Sequence, residues 1–416
     1  MNNASPSLLD ALRSAVGFTA QGAPVGNLTL GRGKVGDLAV GLALVENRIA
    51  SGSVGRAEIA ALAPVLQAAA RSKLPLVLYL DSAGARVSEG LEALGAFRAL
   101  FRDALAAAGS GAPIAAVLGR NCYGGASMLA HLASRRLFAP HTQLAMSGPA
   151  ILAQAAGVSA LDEMFRAMAE AALGVASRAK QSPANAAWTP GMDLAAWLRE
   201  ALVPVPKPWT TMHHRHVALK ARLDKTEPHR PAEAIRRKDL DKLFPGGYEV
   251  HDASGLYTGH ATRAGDAAPV LGLVGRTTVG AERAWRFSQV AWHLARTPPA
   301  RLELLLDCES HSPRLDDEKV VLSEFIVDMG AALGALAARG TAIELTVIGR
   351  AGGAVYVALS SPATRVRTVY GATDIQVLPG IAVASILGED KDTPVDSDEY
   401  RRAGVADEEL KLGLVP

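Results

Sequence analysis

A faint internal repeat constrains the fold of this chain more than any other feature. In the first half, an apolar run over 74–80 ends at Asp81, and a second run over 114–118 leads into Gly119-Arg120. In the second half, a run over 302–306 ends at Asp307, and another over 343–348 leads into Gly349-Arg350. The aspartates lie 226 residues apart and the Gly-Arg dipeptides 230 apart; Gly55 and Gly280, each at a turn into a helix, are separated by 225. Three landmarks in one order at nearly constant spacing predict two copies of one structural unit.

Each copy alternates short apolar strands with helical stretches, near 91–108 in the first copy and 320–338 in the second. This alternation is typical of βα units on a parallel sheet. We therefore predict an α/β fold with two tandem domains, over 1–200 and 263–416. A basic linker or insertion over 201–262 is expected between them.

Composition narrows the class of protein. The 416 residues include 43 Lys+Arg against 41 Asp+Glu, with 49% hydrophobic and 20% charged residues, which argues against disorder and against nucleic-acid binding through bulk charge. No apolar run approaches the roughly 20 residues of a membrane span, and the N-terminus lacks signal-peptide character. The two cysteines exclude a disulfide framework and a four-cysteine zinc ribbon. We predict a cytoplasmic protein with no membrane or nucleic-acid partner.

The segment 206–245 differs from both copies in charge. It holds 10 Lys/Arg, five Asp/Glu and four of the ten histidines, including His213-His214-x-His216. Histidine tracts of this kind bind metals in some proteins, but in a basic segment we expect them to be solvated or to face phosphate, and we predict no metal.

Two Gly-Gly turns carry the candidate chemistry: Gly124-Gly125 in the first copy and Gly352-Gly353 in the second. Glycine permits positive φ and close approach to a ligand, and the helix that follows supplies unpaired amides. Such turns can bind an oxyanion or a carboxylate, although a Gly-Gly pair also serves simply for tight packing of a strand on a helix. Their recurrence at matching places in the repeat favours function.

The turns after the preceding strands, 82–85 and 309–312, are expected to complete one oxyanion hole per copy, since ligands bind at strand ends in open α/β folds. A phosphate-binding P-loop and a Gly-x-Ser-x-Gly nucleophile elbow are both missing from the sequence. Cys122 lies close enough to Gly124 to line this site. A small buried side chain is the expected role for it, rather than a nucleophile.

The motifs resemble those of a known family. Gly52-Ser53-Val54-Gly55, Asp81-Ser82-Ala83-Gly84-Ala85-Arg86 and Tyr123-Gly124-Gly125-Ala126-Ser127 are similar to the signature of acyl-CoA carboxyltransferases, which have the crotonase fold. Within that family, residues 15–170 resemble the beta subunit of biotin-independent malonate decarboxylases. Residues 265–385 resemble the gamma subunit more loosely, through Asp307-x-x-Ser310 followed by Asp316-Asp317-Glu318, and through Gly349-Arg350-Ala351-Gly352-Gly353.

The resemblance implies decarboxylation of a malonyl thioester on an acyl carrier protein, giving an acetyl thioester and CO2. No tightly bound cofactor is implied beyond the phosphopantetheine or coenzyme A arm of the substrate carrier, and a homo-oligomer is expected. By this resemblance the amides around Gly84, Ala85, Gly124 and Gly125 hold the thioester oxygen, while Ser310, His311, Gly352 and Gly353 position the departing carboxylate. Ser82, Arg86, Cys122, Tyr123 and Tyr356 would contact substrate, with Tyr123, His311 and Tyr356 as candidate proton donors.

Several departures from the family pattern keep alternatives open. Ala83 replaces a glycine of the motif, and Pro313 cannot donate an amide to the second hole. The alternatives are a biotin-dependent acyl-CoA carboxyltransferase component, a non-catalytic scaffold that docks carrier proteins, and an enoyl-thioester hydratase or hydrolase, which would require a pair of placed glutamates.

The basic run Arg236-Arg237-Lys238 is a candidate docking site for an acidic carrier protein. Its alternative role is a solvated helical hairpin that covers the sheet.

Overall fold

The structure is a computed structural model, and it describes residues 7–158, 161–226, 229, 232–263, 265–378 and 397–414. The chain divides into two compact units, one of residues 1–86 and 103–211 and the other of residues 87–102 and 212–416. In the described ranges no helix is long and apolar enough to cross a membrane.

The described part of the first unit is built on an eight-stranded sheet. Its strands are β1 (Thr19–Ala20), β2 (Leu28–Val35), β3 (Leu38–Val45), β4 (Leu76–Ser82), β5 (Ile114–Tyr123), β6 (Arg135–Phe138), β7 (Gln143–Ala145) and β8 (Asn185–Ala187). The order is β1-β2-β3-β4-β5-β6-β8, with β7 paired to the end of β5. β1, β2 and β3 are antiparallel, and the pairs from β3 onward are parallel.

The helices of this half of the chain lie before, between and after these strands in sequence. They are α1 (Leu8–Ala15), α2 (Arg56–Ser72), α3 (Gly90–Gly109), α4 (Gly125–Leu132), α5 (Pro149–Ala155), α6 (Glu163–Leu173), α7 (Val175–Arg178) and α8 (Leu194–Ala201), with 3-10 turns at Ala50–Gly52 and Val87–Glu89. Aspartate or serine side chains cap several of them; Asp162, for example, accepts a hydrogen bond from the amide of Phe165 at the start of α6. The residues of α3 up to Arg102 are counted with the second unit.

The described part of the second unit contains a seven-stranded sheet and a two-stranded one. The strands are β9 (Tyr248–Ala253), β10 (Leu256–Arg263), β11 (Asp266–Leu273), β12 (Arg301–Leu306), β13 (Ala342–Val347), β14 (Arg350–Gly352), β15 (Arg365–Val369), β16 (Asp374–Gln376) and β17 (Glu408–Leu410). The larger sheet has the order β17-β15-β13-β12-β11-β10-β9, with β9, β10 and β11 antiparallel and the remaining pairs parallel.

The helices that follow complete the second unit. They are α9 (Pro208–Leu219), which begins in the first unit, then α10 (Arg237–Leu243), α11 (Ala281–Leu294), α12 (Leu315–Lys319), α13 (Leu322–Ala337), α14 (Gly353–Ser360) and α15 (Ser397–Arg402), with a 3-10 turn at Lys220–Lys225. Nearly every residue of α13 is buried, which its almost uniformly apolar sequence explains.

The predicted α/β fold with two tandem copies is confirmed. In both units an antiparallel hairpin, β2–β3 or β10–β11, leads into parallel strands, with β4 and β12 in matching places. The repeated aspartates also have the same role. Asp81 accepts a hydrogen bond from the amide of Asn121 at 3.1 Å, and Asp307 accepts one from the amide of Arg350 at 2.9 Å.

The unit boundaries differ from those expected at 201–262. The first unit ends at residue 211, and β9 and β10, inside the expected linker, are strands of the second sheet. The reason is that β10 pairs along its full length with β11, from Leu256 opposite Leu273 to Arg263 opposite Asp266. Local charge and prolines do not reveal such pairing.

Candidate active site

The two predicted turns of the first unit lie against each other. Gly84 has φ +97°, and a Cβ on it would lie 2.9 Å from the carbonyl oxygen of Tyr123 and 3.1 Å from the amide nitrogen of Gly125. Any larger residue at position 84 would clash with main chain, which does not yield as a flexible side chain does. Glycine therefore permits the close approach of the β4 turn to the start of α4.

The amides of these turns are not equivalent. The amide of Gly84 donates to the Ser82 hydroxyl at 3.1 Å, and that of Gly124 donates to the carbonyl of Met146 at 3.0 Å. Gly124 is thus not an oxyanion donor, contrary to the expectation; its contribution is its φ of +53°, which turns the chain into α4. The buried Ser82 hydroxyl likewise holds the turn instead of contacting substrate.

Two amides remain as donors. Gly125 opens α4, where helix amides have no intrahelical acceptor. Ala85 forms a parallel bridge with Val54, in which Val54 bonds to the carbonyl of Gly84 and to the amide of Arg86. In this pattern the amide of Ala85 itself points away from Val54. Ala85 and Gly125 are therefore the candidate donors of this turn.

Arg86 links the turn to Glu58 and Ser53 through its side chain. Its guanidinium forms an ion pair with Glu58 and bonds to the carbonyl of Ser53 at 2.9 Å. Glu58 is 1% exposed and also accepts the amides of Gly55 and Asn27. Burial acts to raise the pKa of Glu58, but hydrogen bonds from Arg86, from its own amide and from the amide of Asn27 outweigh it and lower the pKa. These contacts give Arg86 a positioning role at the turn.

Cys122 and Tyr123 precede the Gly-Gly pair at the end of β5. Cys122 is completely buried, and burial raises the pKa of its thiol, which fits the expected packing role and not a nucleophile. The Tyr123 hydroxyl donates to Gln143 Oε1 at 2.5 Å, and Gln143 in turn donates to Glu170 at 2.6 Å. Tyr123 is half-buried, so it is still a candidate substrate contact.

The second unit repeats the backbone of this turn with different side chains. Val279 bonds to the carbonyl of Ser310 at 2.8 Å and to the amide of Ser312 at 2.9 Å, so His311 corresponds to Ala85. Gly353 has φ +52° and corresponds to Gly124, while Gly352 pairs with β16 as Tyr123 pairs with β7. A Cβ on Gly353 would overlap the hydroxyl of Ser310. The structure therefore brings Ser310, His311 and Gly353 together.

His311 is a neutral imidazole near pH 7. It is 9% exposed, and burial lowers its pKa to about 4. Its Nδ1 lies 3.1 Å from the hydroxyl of the buried Ser310. Tyr356 lies elsewhere: its hydroxyl donates to the carbonyl of Val405 in the interior, and burial raises its pKa to about 12. Tyr356 is a core residue, so the prediction that it contacts substrate does not fit its position.

An acidic residue supports the second turn, as Glu58 supports the first. Asp317 is 2% exposed, accepts the amide of Ala281 at 2.9 Å and lies 2.8 Å from His229 Nε2. Burial acts to raise the pKa of Asp317, but hydrogen bonds from His229 and Ser312 lower it. Sequence reasoning named Asp317 only within the Asp316-Asp317-Glu318 motif and missed the roles of Glu58 and His229. Glu58 carried a local signal, because its position three residues after Gly55 suits a helix start.

The predicted docking residues lie at the start of α10. Arg237 and Lys238 are exposed, whereas the Arg236 Nε donates to Asp239 at 2.6 Å. Arg236 also lines a cavity of about 160 Å³ together with Arg276 and Asp307. The described ranges contain no cluster of three or more His, Cys, Asp or Glu residues suited to a metal ion.

Comparison with known proteins bears on the first half. The family model of the carboxyl transferase domain matches residues 8–187. This range holds both turns of the first unit. None of the curated proteins matches the sequence significantly.

Among solved structures, the chain is similar to three enzymes at low identity. Transcarboxylase 12S, with methylmalonyl-coenzyme A and methylmalonic acid bound, is 16% identical, with 98% of this chain and 87% of that chain covered and a TM-score of 0.40. A Pseudomonas malonate decarboxylase hetero-tetramer in complex with malonate is 21% identical, with 54% and 92% covered and a TM-score of 0.45. The beta subunit of P. aeruginosa geranyl-CoA carboxylase is 13% identical, with 98% and 84% covered and a TM-score of 0.38. These values are too low to carry an argument on the reaction.

Proposed function

We propose that the first turn binds the thioester oxygen in a decarboxylase that converts a malonyl thioester into an acetyl thioester and CO2. The observation that carries this proposal is the contact between the Gly84 turn and the amide of Gly125. Because the two turns adjoin, this contact supports a two-donor oxyanion hole formed by the amides of Ala85 and Gly125.

The chemistry follows from those donors. When the bond between the α-carbon and the carboxylate breaks, CO2 leaves and the electron pair moves through the α-carbon onto the thioester oxygen. The two amides bind the enolate oxygen, and each donor of this type lowers the barrier by about 3 kcal/mol. A proton then adds to the α-carbon and regenerates the carbonyl. Neither biotin nor a metal enters this sequence.

The proton donor is to be sought between Tyr123 and His311. The hydroxyl of Tyr356 is engaged with Val405 in the interior, which removes that candidate. Tyr123 belongs to the same unit as the hole, and its hydroxyl proton is held by Gln143. Neutral His311 carries one ring proton and shares a hydrogen bond with Ser310.

A biotin-dependent carboxyltransferase is the second candidate, and the match of residues 8–187 to the carboxyl transferase domain favours it. The same enolate would form by proton loss from an acyl thioester, and its α-carbon would take up CO2 released from carboxybiotin. The first turn serves both reactions equally, so only the fate of the enolate distinguishes them.

The test is mass spectrometry of malonyl-acyl carrier protein and, separately, malonyl-coenzyme A after incubation with the purified protein, without biotin or ATP. We expect the substrate on one carrier to lose 44 mass units, and the active arm identifies the carrier. If both substrates, and their methylmalonyl forms, stay intact, decarboxylation is refuted. Carboxyl transfer from carboxybiotin to acetyl-coenzyme A in a parallel reaction would establish the second candidate instead. The acyl carrier protein partner and the homo-oligomer both stay predictions.

A further inference from the structure

A cavity outside both turns is lined by histidines of the tract at 213–216, which has no role in the proposed function. It has a volume of about 280 Å³ and lies in the second unit between α9 and α11. From α9 and the turn after it come His213, His216 and Lys220, spaced three and four residues apart on one helical face. From α11 and its end come Trp285, Trp292 and Arg296.

Hydrogen bonds and ring stacking join the residues at the floor of the cavity. The Nδ1 of His216 lies 2.7 Å from Asp328, whose other carboxylate oxygen accepts the indole N–H of Trp292 at 2.9 Å. Trp285 stacks on His216 with ring centroids 5.3 Å apart and an angle of 7° between planes, and its N–H donates to the carbonyl of His216. Because Asp328 takes Nδ1, the remaining polar atom of the His216 ring is Nε2.

The rim carries positive charge. Lys220 and Arg296 are exposed, and neither has an ion-pair partner among the residues that the structure describes. The Lys220 ammonium instead lies 5.8 Å from the centroid of the Trp285 ring. The described lining includes no carboxylate, and Asp328 lies beneath the rings, bonded to His216 and Trp292.

The pKa of the His213 imidazole reflects this excess of positive charge. Burial lowers the pKa of His213, and His216, His214 and Arg296 lower it further. An anion in the cavity would relieve this repulsion and would accept hydrogen bonds from the same groups.

We propose that this cavity binds a phosphate-bearing ligand, with Lys220 and Arg296 as its cationic contacts and the imidazole of His213 as a further donor. A phosphate group is compact, carries up to two negative charges and has several acceptor oxygens, which suits a small cavity where cations and ring nitrogens converge. The cavity has room for a phosphate and part of an attached ring. The site involves neither turn, so binding at it can be tested separately from the proposed reaction.

Calorimetric titration of the full chain tests the proposal with three probes: inorganic phosphate, AMP and coenzyme A. We expect at least one to bind with a dissociation constant below about 1 mM. Lys220→Met and Arg296→Gln should each weaken binding about tenfold, the effect of losing one charge-assisted contact. Tighter binding of AMP than of phosphate would identify a nucleotide ligand, and tighter binding of coenzyme A than of AMP would identify the arm of a thioester carrier.

Matched controls are Lys225→Met and Arg286→Gln, which remove exposed cations near the cavity without touching its lining. Both should bind the probes as the unaltered protein does, and thermal unfolding should confirm that all four variants fold. The proposal is overturned if no probe binds at 10-fold higher concentrations, about 10 mM. It is also overturned if folded Lys220→Met and Arg296→Gln retain full affinity, or if the controls weaken binding equally.

Discussion

Gly125→Pro removes one donor of the proposed oxyanion hole at a helix position that suits proline. Proline lacks an amide hydrogen and is favoured at the first position of a helix, where the amide has no intrahelical acceptor. The preceding residue is also compatible, because Gly124 has φ +53° and ψ −128°, the mirror image of the extended conformation that precedes proline.

The expected effect follows from the number of donors. The hole has two amides, those of Ala85 and Gly125, and one remains in the variant. Loss of one oxyanion donor costs about 3 kcal/mol in the transition state, so kcat should fall about 10²- to 10³-fold. KM should stay nearly constant, because the charge on the oxygen develops only as CO2 leaves.

The assay is steady-state release of CO2 from the malonyl thioester that the protein accepts. Glu163→Pro is the matched control, because Glu163 is exposed at the first position of α6, far along the chain from either turn. An unchanged kcat in a folded Gly125→Pro protein refutes the assignment of this amide, and an equal loss in Glu163→Pro points to a general effect of proline.

Four further predictions concern stability and docking. His311 is buried with its pKa lowered from 6.5 to about 4, so the unfolded chain binds the extra proton; stability should fall as the pH drops from about 6.5 to 4, and His311→Gln should lose this dependence in urea titrations. Arg86→Met leaves the Glu58 carboxylate buried without its partner and should lower the free energy of unfolding by about 3 kcal/mol at pH 7, with a smaller deficit in acid where Glu58 is protonated. Tyr356→Phe removes one interior hydrogen bond and should cost about 1 kcal/mol in unfolding experiments, with kcat unchanged; a large loss of kcat without loss of stability would return this residue to the site. Neutralising the basic residues at 236–238 should raise KM for a carrier-protein substrate and leave KM for a small thioester unchanged. If neither KM changes, the docking hypothesis is refuted.

Much of the fold could be predicted from the sequence, because both copies of the repeat keep the residues that the main chain needs at matching positions. Asp81 and Asp307 each accept a main-chain amide, that of Asn121 or Arg350, so both copies keep a carboxylate there. Gly124 and Gly353 both adopt positive φ, which keeps glycine in both copies. These requirements are local and therefore visible as spaced residue types.

The parts that escaped prediction depend on distant partners. The ion pair of Arg86 with Glu58 joins residues 28 positions apart, and the pair of His229 with Asp317 joins residues 88 apart. Tyr356 looked available because its sequence position follows the Gly-Gly turn, although its neighbours in α14 are almost all apolar and its hydroxyl partner lies 49 residues on. The choice of donor amide also escaped, since only the fold directs the Gly124 amide to Met146.

The central claim is that the first turn stabilises the enolate of a thioester, and hydrogen exchange measures this most directly. Acetyl-acyl carrier protein and acetyl-coenzyme A are incubated with the protein in D2O, and the deuterium content of the acetyl group is followed by mass spectrometry. Because protonation of an enolate is reversible, we predict exchange well above the uncatalysed rate with one of the two carriers, and a loss of at least 10²-fold in Gly125→Pro. Exchange at only the uncatalysed rate with both carriers, or equal exchange in the variant, would contradict the account.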